Sequence, residues 1–298
     1  MRINLLSVVI PAYNEGENII NTLEKIKPVL NSVQGLKYEI IVVNDGSNDN
    51  TAEILNGCSG IRSINRAVNR GYGYSIKEGI EHSVGEWILI ADADGTYPLG
   101  DIPRLIAETE HYDMVTGERS KGNVSLSFIN KAAKSILKTL IYFLAYRWIV
   151  DINSGFRVFR KEMFTNSPEI FPDGFSFTTT LTLLSVVERY QVMFVPIEYH
   201  KRIGKSHIKP VRDFISFVVL IVRIMTLFRP MRFFMPIAVI FFLAAFGRAI
   251  RDIHQANGIG TLAVLLFIIS IQSFFFGILG DLVILKINGL IHRLKRSQ

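Results

Sequence analysis

The stretch WILIADADGTYPLGD, residues 87–101, joins five apolar or small residues to two carboxylates one residue apart, Asp92 and Asp94, and closes at Pro98. The apolar run reads as a buried strand. A chain that drives a strand through its core and ends it on two acids needs a reason for both. Acids at i and i+2 in an extended turn can point the same way, and their hard oxygens suit Mg2+ or Mn2+ bridging to a diphosphate. Asp-x-Asp alone is common, and turn or cap carboxylates are its ordinary reading. The surroundings of the pair therefore decide.

Working outward, three more short runs rich in Val and Ile precede or follow it: LLSVVI (5–10), YEIIVVN (38–44) and YDMVTG (112–117). Amphipathic segments lie between them. Continuous apolar strands interleaved with helices predict an α/β fold, a mostly parallel sheet covered on both faces. Such sheets bind ligands beyond the carboxyl ends of their strands. The strands end on suitable residues: Tyr13, Asn14 and Glu15 after the first, Asn44 and Asp45 after the second, Asp92 and Asp94 after a later one. Asp45, in VVNDGSNDNT, equally suits an Asx-turn into a helix. NRGYGYSIKEGI (69–80) places Gly-x-Gly before a helix but lacks the spacing of a dinucleotide or Walker loop, so it indicates only a loop approaching a ligand.

The last third has another character. An apolar fraction of 49% and a mean hydropathy of +0.30 are high for a soluble enzyme. Residues 259–280 are 22 residues without a charge, and 233–247 are 15 more, extended by Arg248 and Arg251 if these snorkel. Two such runs joined by a short polar loop predict a membrane hairpin; a buried core hairpin is the alternative. Lys and Arg are dense before it and after it, which places the globular part and the tail in the cytoplasm. Residues 211–228 carry Arg212, Ser216, Arg223 and Thr226 on one stripe and read as a helix lying in the interface, a third span being the alternative. Residues 125–148 set Lys131, Lys134 and Lys138 against Ile136, Leu140 and Leu144, so a solvated basic face and membrane-surface contact both remain open. The expected organisation is a globular domain at 1–208 (including the amphipathic helix at about 125–148), an interfacial helix at 209–230, two transmembrane helices within 231–285 (about 233–251 and 259–283), and a basic tail at 286–298. The net charge of +7 favours an anionic partner. Since the cations crowd towards the apolar segments and form no platform interleaved with aromatics, nucleic acid is not that partner. The single cysteine, Cys58, excludes an intrachain disulfide.

Four cations near these helices and one serine complete the candidate set: Arg119 in TGERS, Ser154 and Arg157 in DINSGFRVF, and Arg202 and Lys205 in EYHKRIGKSHIK. A cluster before an interfacial helix is where an anchored phosphate would be clamped.

Taken in order, SVVIPAYNE, IIVVNDGSNDNTAEI, NRGYGYSIKEGI, ILIADADGTYP, VTGERS, INSGFRVFRKEMF and VPIEYHKRIGKSHI resemble the family 2 glycosyltransferases of GT-A fold. More narrowly they resemble the polyprenyl-phosphate sugar synthases, the dolichyl-phosphate mannose synthase-like branch. The likeness covers roughly residues 5–210, and the C-terminal hairpin resembles that branch's membrane anchor. It implies that Pro11, Tyr13, Glu15 and Asp45 line the nucleotide, with Asp92, and that Asp92 and Asp94 hold a Mg2+ or Mn2+ ion and the donor diphosphate. It implies that Arg119, Ser154, Arg157, Arg202 and Lys205 meet the acceptor phosphate, with Asp92, Asp94, Arg119 and Arg202 the catalytic set. Two departures stand out. Thr96 occupies the position where the mannose synthases commonly carry a metal-binding Gln, which puts coordination there in question. The usual GxSK ending reads Gly204-Lys205-Ser206-His207, leaving that lysine's role to His207 or Lys209.

The implied reaction moves a hexosyl group from a UDP- or GDP-linked sugar to a polyprenyl phosphate, with inversion, in a multi-pass protein of the cell membrane whose catalytic domain faces the cytoplasm. A homo-oligomer is compatible with the hairpin. The rival enzyme reading is transfer to a sugar hydroxyl of a lipid-linked glycan or polysaccharide, which needs a carboxylate base facing the acceptor. The rival without catalysis is a membrane scaffold that keeps the fold.

Overall fold

The computed structural model describes residues 3–119, 139, 142, 149–174, 176–199, 210–255 and 258–296. The chain divides into two compact units, Met1–Lys134 with Trp148–Asp213, and Ser135–Arg147 with Phe214–Gln298. The helix expected at about 125–148 falls almost wholly outside the described residues, as do Arg202 and Lys205.

The first unit is built on seven strands: β1 (Leu5–Ala12), β2 (Lys37–Asn44), β3 (Arg62–Asn65), β4 (Trp87–Ile90), β5 (Met114–Arg119), β6 (Arg157–Arg160) and β7 (Val192–Ile197). Their order across the sheet is β3-β2-β1-β4-β6-β5-β7, and β6 alone runs against the rest. The expected mostly parallel sheet is what forms. Leu6, Val8 and Ile10 of β1 enter a core shared with Ile19, Leu23, Ile26 and Leu30 of helix α1 (Ile19–Ser32). That helix repeats its apolar residues at the i, i+4, i+7 spacing of a single buried stripe. The opposite face is covered by α3 (Tyr72–Glu81), whose Gly79 lies against Val9 and Val43. Both faces of the central strands are thus dry, which explains why they read as unbroken apolar runs.

The chain steps from β1 outward through β2 and β3, then returns to place β4 on the other side of β1. At such a reversal the two connections leave in opposite directions, and a crevice opens beyond the carboxyl ends of the strands. Pro11 widens it. Val9 gives its carbonyl to the Ala91 amide at 3.3 Å, so two residues on, the side of Pro11 that lacks an N–H also faces β4 and the ladder stops there.

Because β6 is antiparallel, the segment leading into it (Asp151–Phe156) lies at the same edge of the sheet as the ends of β4 and β5. Helices α2 (Thr51–Gly57), α4 (Ile102–Glu108), α5 (Glu162–Thr165) and α6 (Phe177–Val187) complete this unit.

In the second unit, α8 (Pro230–His254) and α9 (Thr261–Arg296) form an antiparallel hairpin after α7 (Pro210–Phe228). Within Pro230–His254 and Thr261–Ile287 lie 18-residue stretches with mean hydropathies of 2.1 and 2.5. At about 1.5 Å per residue each of the two segments exceeds a hydrocarbon core of ~30 Å. Side chains such as Ile240, Leu243, Phe246, Leu265 and Phe275 face outward. The helices touch through small groups: Gly277 lies against Met231 and Phe234, and Gly280 against Pro230. Ser270 donates to the Ala238 carbonyl at 2.8 Å. At the turn, the buried Asp252 accepts Arg248 at 3.0 Å and the Gly260 amide at 3.1 Å. Of the residues expected as a basic tail, those up to Arg296 are helical and continue α9. Along α7 the exposed residues include Ile215, Val219, Arg223 and Leu227, an apolar stripe with one cation in it.

Candidate active site

The crevice is walled by loops that hold one another. After β1, Asn14 adopts the left-handed conformation (φ 55°), accepts the Asn48 amide at 2.8 Å and donates its own amide to Ser47 Oγ at 2.9 Å. The Glu15 amide donates to Thr51 Oγ1 at 3.0 Å. These bonds tie the β1 and β2 loops into one rim. Pro11 is buried within it, whereas Tyr13 is 40% exposed at its edge.

Asp45 does more than line the rim. It is only 3% exposed, and its two carboxylate oxygens accept the backbone amides of Arg70 at 2.8 Å and Gly71 at 2.7 Å. Its partners are 25 and 26 residues away, so the local Asx-turn reading does not hold. The same loop is pinned at its start, where the Arg66 amide donates to the Asn44 carbonyl at 2.9 Å and the Arg66 guanidinium to the buried Glu78 at 2.7 Å. The Gly-x-Gly of this loop faces protein. A side chain at Gly71 or Gly73 would strike the backbone of Pro172–Gly174, and the Tyr74 amide donates to the Asp173 carbonyl at 2.9 Å. The start of α3 is therefore covered by the chain itself.

Asp92 and Asp94 end β4 partly exposed. The Tyr72 hydroxyl donates to Asp92 Oδ1 at 2.8 Å. Burial first, and then the neighbouring Asp92 carboxylate, push this phenol well above its ordinary value, so it remains a donor. Thr96 gives both its amide (3.1 Å) and its hydroxyl (2.7 Å) to Asp94 Oδ1. Thr96, the doubtful metal position of the sequence, is buried and orients the Asp94 carboxylate. Hard carboxylate oxygens of this kind fit a divalent cation. Among the described residues no cluster of three His, Cys, Asp or Glu forms.

Tyr97, five residues after Asp92, lies between the acids and a cation. Its oxygen accepts the Gly155 amide at 2.8 Å, and its ring stacks on Phe156 at 5.4 Å and meets Tyr199 edge-on at 5.3 Å. The Arg119 guanidinium sits 5.5 Å from the centre of the Tyr199 ring. Arg119 is gripped by Asp151 through two bonds of 2.7 and 2.8 Å, the side chains being 7% and 11% exposed. Burial alone would lower the Arg119 value, but the Asp151 carboxylate overcomes it and holds the guanidinium charged. Burial likewise opposes ionisation of Asp151, and Arg119 pulls it below the usual carboxylate range.

Arg157 and Ser154, expected to meet an acceptor phosphate, are both fully buried, which removes them from that role in this structure. The Arg157 guanidinium donates to the Ser154 carbonyl (2.9 Å from Nε), to the Thr178 carbonyl and to Thr182 Oγ1, the latter two at 2.9 Å. Burial draws it down to about 10, which still leaves it charged at neutral pH. It anchors the segment that presents Asp151 and Gly155. The threonines of α6 (FTTTLT, 177–182), unusually polar for a buried helix, are the sequence signal for such a partner. Tyr72, Tyr97, Asp151 and Gly155 carried no signal in the sequence reading.

Parallel strands with acids at the reversal and a single reversed strand make a mixed α/β architecture, and comparison with known proteins gives its class. Residues 7–166 match glycosyl transferase family 2, and the chain belongs to that family; it is a glycosyltransferase. Residues 229–284 match the GtrB C-terminal hairpin, which narrows the group. A dolichyl-phosphate beta-glucosyltransferase of Saccharomyces cerevisiae is 30% identical over 228 residues, 67% of this chain and 68% of that protein. One of Trichomonas vaginalis is 30% identical over 243 residues, 74% and 71% of the two chains. An undecaprenyl-phosphate 4-deoxy-4-formamido-L-arabinose transferase of Proteus mirabilis is 34% identical over 169 residues, covering 54% of this chain and about half (51%) of that one. In fold the catalytic unit is similar to glucosyl-3-phosphoglycerate synthase of Mycobacterium tuberculosis, solved with Mn2+, UDP and phosphoglyceric acid, with a TM-score of 0.58 at 22% identity over 73% and 78% of the chains.

Proposed function

We propose that this protein transfers a hexosyl group from a UDP- or GDP-linked sugar to a polyprenyl phosphate, inverting the anomeric centre, at the cytoplasmic face of a membrane spanned by α8 and α9. The observation that carries the reading is the joining, in one chain, of an acid pair at the sheet's reversal with a hairpin of two membrane-length apolar helices of GtrB type. Relatives acting on dolichyl and undecaprenyl phosphates support it.

The chemistry follows from the acceptor. A phosphate monoester is ionised at pH 7, so it attacks without a general base. The protein must align that anion behind the anomeric carbon and accommodate the departing nucleoside diphosphate. Asp92 and Asp94 would hold a Mg2+ or Mn2+ ion, which when bound neutralises charge on the leaving diphosphate. Thr96 fixes the direction of Asp94. Pro11, Tyr13, Glu15 and Asp45 form the rim beside the nucleotide. Arg119, held charged by Asp151, would meet the acceptor phosphate, a role the resemblance also gives to Arg202 and Lys205. The outward apolar stripe of α7 lies in the bilayer interface, where the acceptor's phosphate sits.

The test is direct. The purified full chain in detergent is incubated with radiolabelled UDP- and GDP-hexoses and a short polyprenyl phosphate, and acid-labile sugar phosphate lipid is measured. Asp92→Asn and Asp94→Asn should abolish product without lowering the unfolding temperature. Near-normal turnover in either variant, or no product from any donor with the wild type, overturns the reading.

A further inference from the structure

Two segments distant in sequence converge on Asp92: the loop before α3 and the approach to β6. The loop before α3 is fixed at four places: Arg66 on Asn44 and Glu78, the Arg70 and Gly71 amides on Asp45, Gly71 and Gly73 against Pro172–Gly174, and the Tyr74 amide on Asp173. Lys77, one turn on, pairs with Asp173. A loop held so firmly projects its next side chain, Tyr72, along one path, and that path ends at Asp92 Oδ1. From the other side, Gly155 closes on the same pair. A β-carbon there would lie 2.9 Å from Asp92 Oδ2 and 2.9 Å from the Tyr72 hydroxyl, closer than real β-carbons approach. The Gly155 position is itself set by the Tyr97 oxygen and, through Ser154, by Arg157.

We infer that Tyr72 is a positioning residue for the transfer reaction, an arm anchored by Asp45 that fixes the Asp92 carboxylate in the one orientation that Gly155 leaves room for. A carboxylate that must serve a cation gains from a fixed orientation, because partners of the ligands commonly change metal affinity or activity 10- to 100-fold. The arm also gives Asp45 a function that acts through the loop, in addition to its place beside the nucleotide. The inference rests on the metal reading of Asp92 and Asp94 given above.

The experiment titrates UDP and GDP into the full chain in detergent by calorimetry, once with MnCl2 and once with EDTA. The wild type should bind one nucleotide more tightly with Mn2+. Tyr72→Phe, which removes a single hydroxyl, should lose roughly 10-fold of that Mn2+-dependent gain, keep its affinity in EDTA and unfold at the wild-type temperature. Gly155→Ala should lose the same gain by crowding the pair. The double variant should lose no more than the worse single one, because both act on one carboxylate. A full Mn2+ gain in both single variants overturns the inference. So does an equal loss with and without Mn2+ in Tyr72→Phe, which would make Tyr72 a nucleotide contact. A wild type that binds nucleotide equally in MnCl2 and EDTA overturns the metal reading itself, and the arm falls with it.

Discussion

Replacing Asp151 by Asn changes one atom in the grip on Arg119 and should be felt throughout the catalytic unit. The two side chains are 7% and 11% exposed, and both Arg119 bonds, at 2.7 and 2.8 Å, run to the Asp151 carboxylate. Removing one charge of a buried pair strands the other, which costs roughly 3–5 kcal/mol. Asn keeps the shape and one acceptor, so a value near the lower end, about 3 kcal/mol, is expected. For a unit of ~150–250 residues this lowers the unfolding temperature by about 6–12 °C. The pH dependence gives a second, independent check. Asp151 is held below its ordinary value, so its contribution is fully present above about pH 4, the unfolded-chain value, and is lost as pH falls through the folded value. The deficit of Asp151→Asn should therefore be complete at pH 7 and shrink as pH is lowered below about 4. Differential scanning fluorimetry of the full chain in detergent reads both. A variant within 2 °C of the wild type at pH 7, or a deficit unchanged under acid, refutes the argument that this pair acts as a buried charge couple.

Two further outcomes follow from close contacts. Gly46 has φ +69°, and a β-carbon there would lie 2.7 Å from the Asn69 amide nitrogen, so Gly46→Ala should displace the loop that Asp45 holds and weaken nucleotide binding in calorimetry at least 10-fold. Gly277→Leu should force α8 and α9 apart at Met231 and Phe234, at a cost of about 1–3 kcal/mol. It should shorten the lifetime of the protein in detergent while leaving its affinity for UDP or GDP unchanged.

The central strands were legible because both their faces are buried and their sequences show it. β1, β2 and β4 are rich in Leu, Val and Ile where they are buried. The strands the sequence does not announce are the edge strands and the reversed one. β3 is Arg-Ser-Ile-Asn at one edge, and β7 carries Pro196 at the other, where a missing N–H is tolerated. β6 is bracketed by Arg157 and Arg160, and its burial depends on partners elsewhere: the α6 threonines for the first, Asp113 and the Trp87 ring for the second. The acid pair was legible for a related reason, since a dry strand ending on carboxylates is a local pattern. Arg157 was misread because a single arginine carries no mark of which side of a sheet will receive it. Thr96 was read as a missing ligand, whereas its bond to Asp94 spans only two residues and shows once the turn is drawn. Tyr72 escaped notice because its target lies 20 residues on, across two strands whose adjacency only the topology supplies.

The Arg119–Asp151 grip also has a consequence for how such a chain can change over time. β5 ends at Arg119 and the approach to β6 begins at Asp151, so the two bonds fasten together the points where the chain leaves and rejoins the sheet. Whatever lies between is attached at a closed neck. The neck holds both of its ends beside Tyr97, so changes in the length of the chain between them are expected to leave the register of β5 and β6 unaltered. One framework could thereby be refitted for a different recipient while its donor half stays untouched.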